Sequence, residues 1–205
     1  MAERRTDLAL EAKELWEESA QETTQLEGVK AREERRGSCS ITHVEITDEK
    51  GEQALGKPRG HYVTLEMPEL VRREKSDYMG AAELLAEELG RLIQIPAKAP
   101  VLVAGLGNRS LTPDAIGPKT VQSVLVTRHL IKNVPEHFGS FRPVSALAAG
   151  VMGDTGMESG ELLGAAAAAV QPALIIAVDA LASRSVQRLF TTIQLSDTGI
   201  VPGSG

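Results

Sequence analysis

The sequence has a single cysteine, no excess of positive charge and no long apolar run, and each of these absences excludes a class of proteins. Cys39 is its only cysteine, which excludes an intrachain disulfide, a thiolate zinc cluster and a CxxC redox motif. A formal net charge of -6 argues against a surface that binds nucleic acid or anionic membranes. The first 36 residues carry 17 charges and no apolar run reaches transmembrane length, unlike a signal peptide or a membrane span. We therefore expect one cytoplasmic domain within the 205 residues.

The first half of the chain shows helical and strand-like patterns in turn. Residues 8–36 are predicted to form one charged helix, because apolar residues recur there at i, i+4, i+7 and i+8. Residues 39–67 alternate in a way typical of two strands, separated by a turn region at 51–60. Residues 79–95 return to helical spacing, and the predicted helix ends before Pro96.

The second half predicts a doubly wound α/β sheet. Three continuous apolar runs are typical of strands buried on both faces, at 101–107, 144–150 and 173–178. Helices are predicted between and after them, at about 119–132, 160–170 and 181–190, followed by a strand at 191–195. Strands that alternate with helices indicate a parallel sheet with right-handed crossovers.

The loop after the first of these strands, GLGNRSLTPDAIGP at 105–118, begins like a phosphate-binding loop but does not complete one. Ser110 replaces the third glycine of a GxGxxG fingerprint. Pro113 and Pro118 interrupt the helix whose N-terminus would have to face a pyrophosphate. The pattern therefore argues against nucleotide binding.

Two aspartates follow predicted strands, and two interpretations of them stay open. Asp114 and Asp179 both come after the carboxyl end of a buried strand, where open α/β sheets bind ligands. If the two strands are neighbours, ~4.8 Å apart, the carboxylates can share one water. One of them then keeps a proton while the other acts as a base, which is the apparatus of acid peptide-bond hydrolysis. Alternatively, each carboxylate stabilises a helix start, after Thr112 and Pro113 in one case and before Leu181 in the other.

Other polar residues give weaker signals. Thr155 and Glu158, in the segment GDTGMES, have the spacing of a capping box ahead of the next helix. A supporting role beside the aspartates is the alternative for Asp154 and Glu158, and we assign the same role to Asn108. The four histidines have no two-ligand helical spacing and are expected to be surface or core residues rather than metal ligands. They are His43, His61, His129 and His137.

Four segments together resemble the germination protease of endospore-forming bacteria. They are RTDLALEA (5–12), GLGNRSLTPDAIGPKTV (105–121), VMGDTGMES (151–159) and VDALASRSVQRLFTTIQLSDTGIVPGSG (178–205). The resemblance implies an atypical aspartic endopeptidase without a cofactor, which degrades small acid-soluble spore proteins in the forespore or spore core. It also implies a homotetrameric zymogen that cuts itself near its N-terminus. The family's catalytic aspartates lie in its TPDA and VDAL segments, which correspond to Asp114 and Asp179.

The resemblance also implies a fold and one rival function, and the residue pattern itself leaves a second rival open. The family's fold is similar to that of hydrogenase maturation proteases, three α/β/α layers around a mostly parallel or mixed sheet. Those enzymes need a metal, and no histidine here matches their ligands, so metal-free hydrolysis is favoured over a metal-dependent processing protease. A non-catalytic α/β interaction module is the second rival. Family members continue past residue 205, so the C-terminal part of their domain is expected to be missing.

The N-terminus resembles the family's own substrates. These are cut after an acidic residue in a pattern like Thr-Glu, then Ile or Leu, then Ala-Ser-Glu, and residues 6–11 match most positions. The resemblance therefore predicts self-cleavage between Asp7 and Leu8, which divides the chain into a propeptide at 1–7 and a single peptidase domain at 8–205. A flexible end could reach the site in extended form. The alternative is that Thr6 only caps the following helix.

Overall fold

The structure, a computed structural model, describes residues 6–19, 26–72 and 74–200. The chain divides into two compact units, Met1–Gln94 with Leu181–Gly199 and Ile95–Ala180 with Ile200–Gly205. We call the first the antiparallel unit and the second the parallel unit, after their sheets. Among the described helices, none combines the length and the apolar character that a membrane span requires.

The antiparallel unit is built on a four-stranded sheet with helices against it. Its elements are α1 (Ala9–Ser19), β1 (Val29–Arg36), β2 (Cys39–Ile46), α2 (Glu49–Leu55), β3 (Gly60–Glu66), a 3-10 helix (Pro68–Arg72), α3 (Lys75–Leu92), a 3-10 helix (Val186–Arg188) and β7 (Thr192–Ser196). The strand order is β1-β2-β3-β7 and every pair is antiparallel.

Alternation along β2 and β3 gives this sheet two apolar faces. Val44 and Tyr62 pair across the strands and pack with Ala9 of α1 and Leu55 of α2. On the other face a second cluster joins the sheet to Leu84 of α3. Its remaining buried members are Ile41, Val63, Leu65 and Met67. Burial on both faces explains why four successive residues of β3, Tyr62 to Leu65, are all buried.

The predictions for this unit are partly confirmed. The two strands at 39–67 are β2 and β3, although the turn region between them contains α2, and the helix predicted at 79–95 is α3. The single helix predicted over 8–36 is wrong, because α1 ends at Ser19 and residues 29–36 form β1. β1 is a strand because it pairs with β2 along its whole length. The same register places Lys30 opposite Glu45, a favourable pair of opposite charges. Such a polar strand suits a sheet edge.

The parallel unit contains a three-stranded parallel sheet of order β5-β4-β6. Its elements are β4 (Val101–Leu106), a 3-10 helix (Thr112–Asp114), α4 (Ile116–Ser123), α5 (Arg128–Asn133), α6 (Pro135–Phe138), β5 (Val144–Gly150), α7 (Met152–Thr155), α8 (Ser159–Val170) and β6 (Leu174–Val178). All six residues of the central strand β4 are buried, as expected of a parallel strand covered on both faces.

The three predicted parallel strands and the α/β class are confirmed. The predicted burial on both faces holds only for β4, because β5 and β6 are mostly half-buried and Ile175 of β6 is 43% exposed. The helix predicted at 119–132 is instead two helices, α4 and α5. The last strand, β7, is not part of the doubly wound series, because it pairs antiparallel with β3.

The helix predicted at 181–190 is wrong, since only Val186–Arg188 forms a short 3-10 helix. The reason lies in the backbone amides of the preceding segment. Ala182 donates its amide to the Asp7 carboxylate at 2.6 Å, and Arg184 and Ser185 donate theirs to Glu11 at 2.8 and 3.1 Å. Amides that are committed to carboxylates are not available for a helical ladder.

Candidate active site

The Asp114 carboxylate lies at the carboxyl end of the central parallel strand, β4. The chain turns at Gly107 and returns in the short 3-10 helix that ends at Asp114. The amide of Asn108 donates to Asp114 Oδ2 at 2.6 Å. Gly107 has a φ of +100°, and a Cβ there would be 2.6 Å from Asp114 Oδ1. Glycine is therefore what lets the aspartate fold back over the end of the strand.

Asp179 lies at the same edge of the sheet. β6 pairs with β4 in parallel, with Gly105 opposite Val178, and Asp179 is the next residue. The first turn of α4 contacts the ends of both strands: a Cβ at Gly117 would be 2.2 Å from the Leu106 carbonyl oxygen and 2.4 Å from that of Val178. Asp114 precedes Gly117 by three residues, so both aspartates flank one strand–helix junction.

This arrangement suits chemistry on a ligand held at the sheet edge. Both aspartates are half-buried, so each is partly reachable from solvent. Neighbouring strands lie ~4.8 Å apart, a spacing at which carboxylates that follow the two strands can contact a common water.

The capping interpretations fare differently for the two residues. Asp114 belongs to a short 3-10 helix whose N-cap is Leu111 and which has no side-chain cap, so Thr112 does not cap it. The hydrogen bond of Asp114 runs back to the preceding loop, not to α4. Asp179 Oδ1 accepts from the amide of Ala180 at 2.9 Å. It caps no helix at 181–190, because none forms there.

Of the three predicted supporting residues, Asn108 is hydrogen-bonded to Asp114, while Asp154 and Glu158 are not, among the residues that the structure describes. Asn108 contacts Asp114 through its backbone amide, while its side chain accepts from Ser110 N at 2.8 Å. Asp154 and Glu158 are exposed and follow β5, the other neighbour of β4. The capping box is real but shifted by three residues, with Glu158 as the cap and Glu161 as its partner. In residues 74–200, no hydrogen bond joins Asp154 or Glu158 to Asp114.

Residues 6–9 are docked within the antiparallel unit rather than extended, so the expectation of a flexible end is wrong for them. The Asp7 carbonyl accepts from Lys57 Nζ at 2.9 Å and from Gln194 Nε2 at 3.0 Å. Gln194 Oε1 also accepts from the amide of Ala9 at 2.7 Å, and the Leu8 side chain is fully buried. Residues 1–5 of the predicted propeptide lie outside the described residues.

Glu11 is buried and makes a network of hydrogen bonds that the sequence pattern did not predict. It is 1% exposed and accepts hydrogen bonds from five groups. These are Thr6 Oγ1, Ser183 Oγ, Arg184 N, Ser185 N and Arg188 Nη1. Burial acts to raise its pKa, but the hydrogen bonds together lower it to about 2. One feature of the sequence could have identified it: Glu11 comes three residues after the buried Leu8, on the apolar stripe of α1.

Arg188 is the second residue that the pattern did not reveal. Its guanidinium binds Glu14 at 2.7 and 2.8 Å, Glu66 at 2.7 Å and Glu11 at 3.2 Å. The hydrogen bond to Glu14 contributes most to raising its pKa. Together, Glu11 and Arg188 fasten α1 and the segment before β7 to the antiparallel sheet.

Comparison with known proteins gives one consistent result. The family model for germination protease matches residues 9–205. A germination protease from Caldanaerobacter subterraneus subsp. tengcongensis is 48% identical over 202 residues, which is 98% of this chain and 61% of that protein. Germination proteases from Priestia megaterium and Clostridium tetani are 45% and 40% identical over 98% of this chain, covering 56% and 62% of their own lengths.

The chain thus spans about three fifths of the length of these relatives. The family match includes both strand-end aspartates, the GDTGMES turn and the docked helix α1. The chain belongs to the germination protease family.

Proposed function

We propose that the protein is an aspartic-type endopeptidase in which Asp114 and Asp179 share one catalytic water. The observation that carries the proposal is that the two aspartates follow adjacent parallel strands, β4 and β6, on either side of Gly117. Membership in a protease family supports it independently.

The proposed chemistry follows from a shared proton. The ionised carboxylate takes a proton from the water as its oxygen attacks the peptide carbonyl carbon, while the protonated carboxyl donates to the carbonyl oxygen. The tetrahedral intermediate then collapses, the C–N bond breaks, and the proton passes to the leaving nitrogen. No metal or cofactor takes part in these steps.

Small acid-soluble spore proteins are the proposed substrates, cut on the carboxyl side of an acidic residue. The names of the relatives indicate a role in germination, and we place the enzyme in the spore core as a homotetramer. The three-layer likeness to hydrogenase maturation proteases belongs to the same proposal. It is supported by the parallel sheet of order β5-β4-β6.

Self-cleavage of the Asp7–Leu8 bond is part of the proposal. The contacts around this bond mean that cleavage can occur only after the segment has moved. A peptide bond must be extended and accessible to enter a protease site. The Asp7 carbonyl is held by two side-chain donors and Leu8 is buried. Processing therefore requires residues 6–9 to leave their docked position first.

Replacing each aspartate by asparagine tests the proposal. We expect Asp114→Asn and Asp179→Asn each to lower cleavage of a small acid-soluble spore protein by about 10³- to 10⁴-fold. Glu136→Gln, an exposed change on α6 in the same unit, is the control and should leave cleavage unchanged. Circular dichroism checks that all three variants fold. Wild-type cleavage by either asparagine variant would refute the proposed pair.

A further inference from the structure

Glu88 is a buried carboxylate on the apolar face of α3. Its neighbours at i-4 and i+4, Leu84 and Leu92, pack on the core of the antiparallel unit, and Glu88 itself is 1% exposed. Its Oε1 accepts from Arg91 Nη1 at 2.5 Å. Its Oε2 is buried and has no hydrogen-bond partner among the described residues. A buried polar oxygen without a partner is costly and calls for an explanation.

His43 lies directly opposite this oxygen. Its Nε2 is 4.0 Å from Glu88 Oε2 and is likewise buried without a hydrogen-bond partner among the described residues. Glu34 completes the group from β1, because His43 pairs with Arg32 and Glu34 lies two residues further on the same face. One ligand atom from each of Glu34, His43 and Glu88 lies within 4.8 Å of the other two.

The geometry points to a binding site for a divalent transition-metal ion of the Zn²⁺ class, held by Glu34, His43 and Glu88. One imidazole nitrogen and two carboxylate oxygens form a ligand set that suits Zn²⁺. With bonds of ~2.1 Å, tetrahedral ligands lie about 3.4 Å apart. Small side-chain rotations within the present group would reach that spacing. A cavity of about 430 Å³ opens onto His43 and Glu88 and leaves room for a water as fourth ligand.

Two arginines orient the acidic ligands and limit the affinity. Arg36 Nη2 binds Glu34 Oε1 at 3.1 Å, and Arg91 binds Glu88 through Oε1. Each guanidinium therefore fixes a carboxylate while the Oε2 of Glu88 still faces His43. Their positive charges also oppose a dication, so the site binds more weakly than a closed four-ligand zinc site.

A bound ion would connect β1, β2 and α3 within the antiparallel unit. This role is separate from the proposed peptidase chemistry, in which these three residues take no part. The inference therefore does not depend on the proposed function.

Cobalt substitution tests the site without an activity assay. Co²⁺ is titrated into the purified chain while its visible d–d absorption is recorded, and Zn²⁺ is then added in competition. We expect one Co²⁺ per chain, displaced by Zn²⁺. Removing one ligand by His43→Gln or Glu88→Gln should weaken binding by at least about 100-fold, the upper end of what losing an outer partner costs.

His61→Gln is the matched control. His61 lies on the adjacent strand β3, is exposed, and contacts its own carboxylate, Asp197, at 2.7 Å. Binding that survives in this variant and is lost in His43→Gln supports the site. No cobalt spectrum, an unchanged affinity in His43→Gln, or an equal loss in His61→Gln would overturn it. If Glu88→Gln fails to fold, His43→Gln alone decides.

Discussion

Carboxylates in the two units have opposite environments. In the antiparallel unit, Glu11 is 1% exposed and its two oxygens accept from five donors. In the parallel unit, Asp114 and Asp179 are half-buried at strand ends, and each accepts a backbone amide from its own loop. Five hydrogen bonds fix the Glu11 carboxylate within the fold, whereas Asp114 and Asp179 lie where open α/β sheets bind ligands.

The largest effect is expected at the junction that carries the aspartates. Gly117→Ala puts a Cβ 2.2 Å from the Leu106 carbonyl oxygen and 2.4 Å from that of Val178, and backbone atoms cannot move aside easily. We expect the free energy of unfolding to fall by about 3 kcal/mol or more. Urea denaturation measures it.

Gly164→Ala in α8 is the matched control, because among the described residues nothing beyond its chain neighbours and the backbone of its own helix lies within 4 Å of the added Cβ. A helical glycine replaced by alanine should gain about 0.5 to 1 kcal/mol. Equal stability of the two variants would show that the close contact of α4 with the strand ends is not a constraint.

The next largest effect is expected on stability at Glu11, and it depends on pH. The pKa of Glu11 is about 2 in the folded protein against an ordinary 4.5, so its ionised form contributes about 3 kcal/mol above pH 4.5. Because the folded pKa is the lower one, this stability is fully present above pH 4.5 and is lost as pH falls towards 2. We therefore expect Glu11→Gln to be destabilised at pH 7 and much less so at pH 3.

Urea unfolding at pH 7, 5 and 3 measures this difference. Glu17→Gln is the control on the same helix, since the pair that Glu17 forms with Lys13 within the described part of the chain is solvent-accessible and worth about 0.3 kcal/mol. A Glu11→Gln deficit that is the same at pH 3 and pH 7 would contradict an ionised anchor.

The strands of the parallel unit could be predicted from the sequence because a continuous apolar run marks each of them, although only β4 is buried along its whole length. Asp114 and Asp179 were found that way, from their positions after residues 101–107 and 173–178. The helix predicted at 181–190 failed for a different reason. Its amides are bound by Asp7 and Glu11, more than 170 residues away in the sequence, and no local pattern contains such a contact.

The same limit explains β1 and the Glu34–His43–Glu88 group. The charges of residues 29–36 suit a helix surface as well as an edge strand, and only pairing with β2 decides between them. His43 showed no ligand spacing along the chain, because its partners come from β1 and α3. Sequence spacing reveals sites built on one element more readily than sites assembled from three.

The smallest effect is expected on processing of the docked N-terminal segment. Gln194→Ala removes two hydrogen bonds, to the Asp7 carbonyl and from the amide of Ala9. At about 1 kcal/mol each, their loss should speed release of this segment, and hence cleavage at Asp7–Leu8, by roughly 30-fold. Mass spectrometry of the new N-terminus over time measures the rate. Gln53→Ala, exposed on α2, is the control, and slower or unchanged processing in Gln194→Ala would contradict a docked precursor.

The central claim is that Asp114 and Asp179 act as one unit, and the double variant tests it most directly. Cleavage rates of a small acid-soluble spore protein are compared for Asp114→Asn, Asp179→Asn and the combination of both. Residues that share one proton and one water are not additive, so we predict that the double variant is no slower than either single variant within about threefold. A double variant slower by the product of the two single losses would show independent roles and contradict the account.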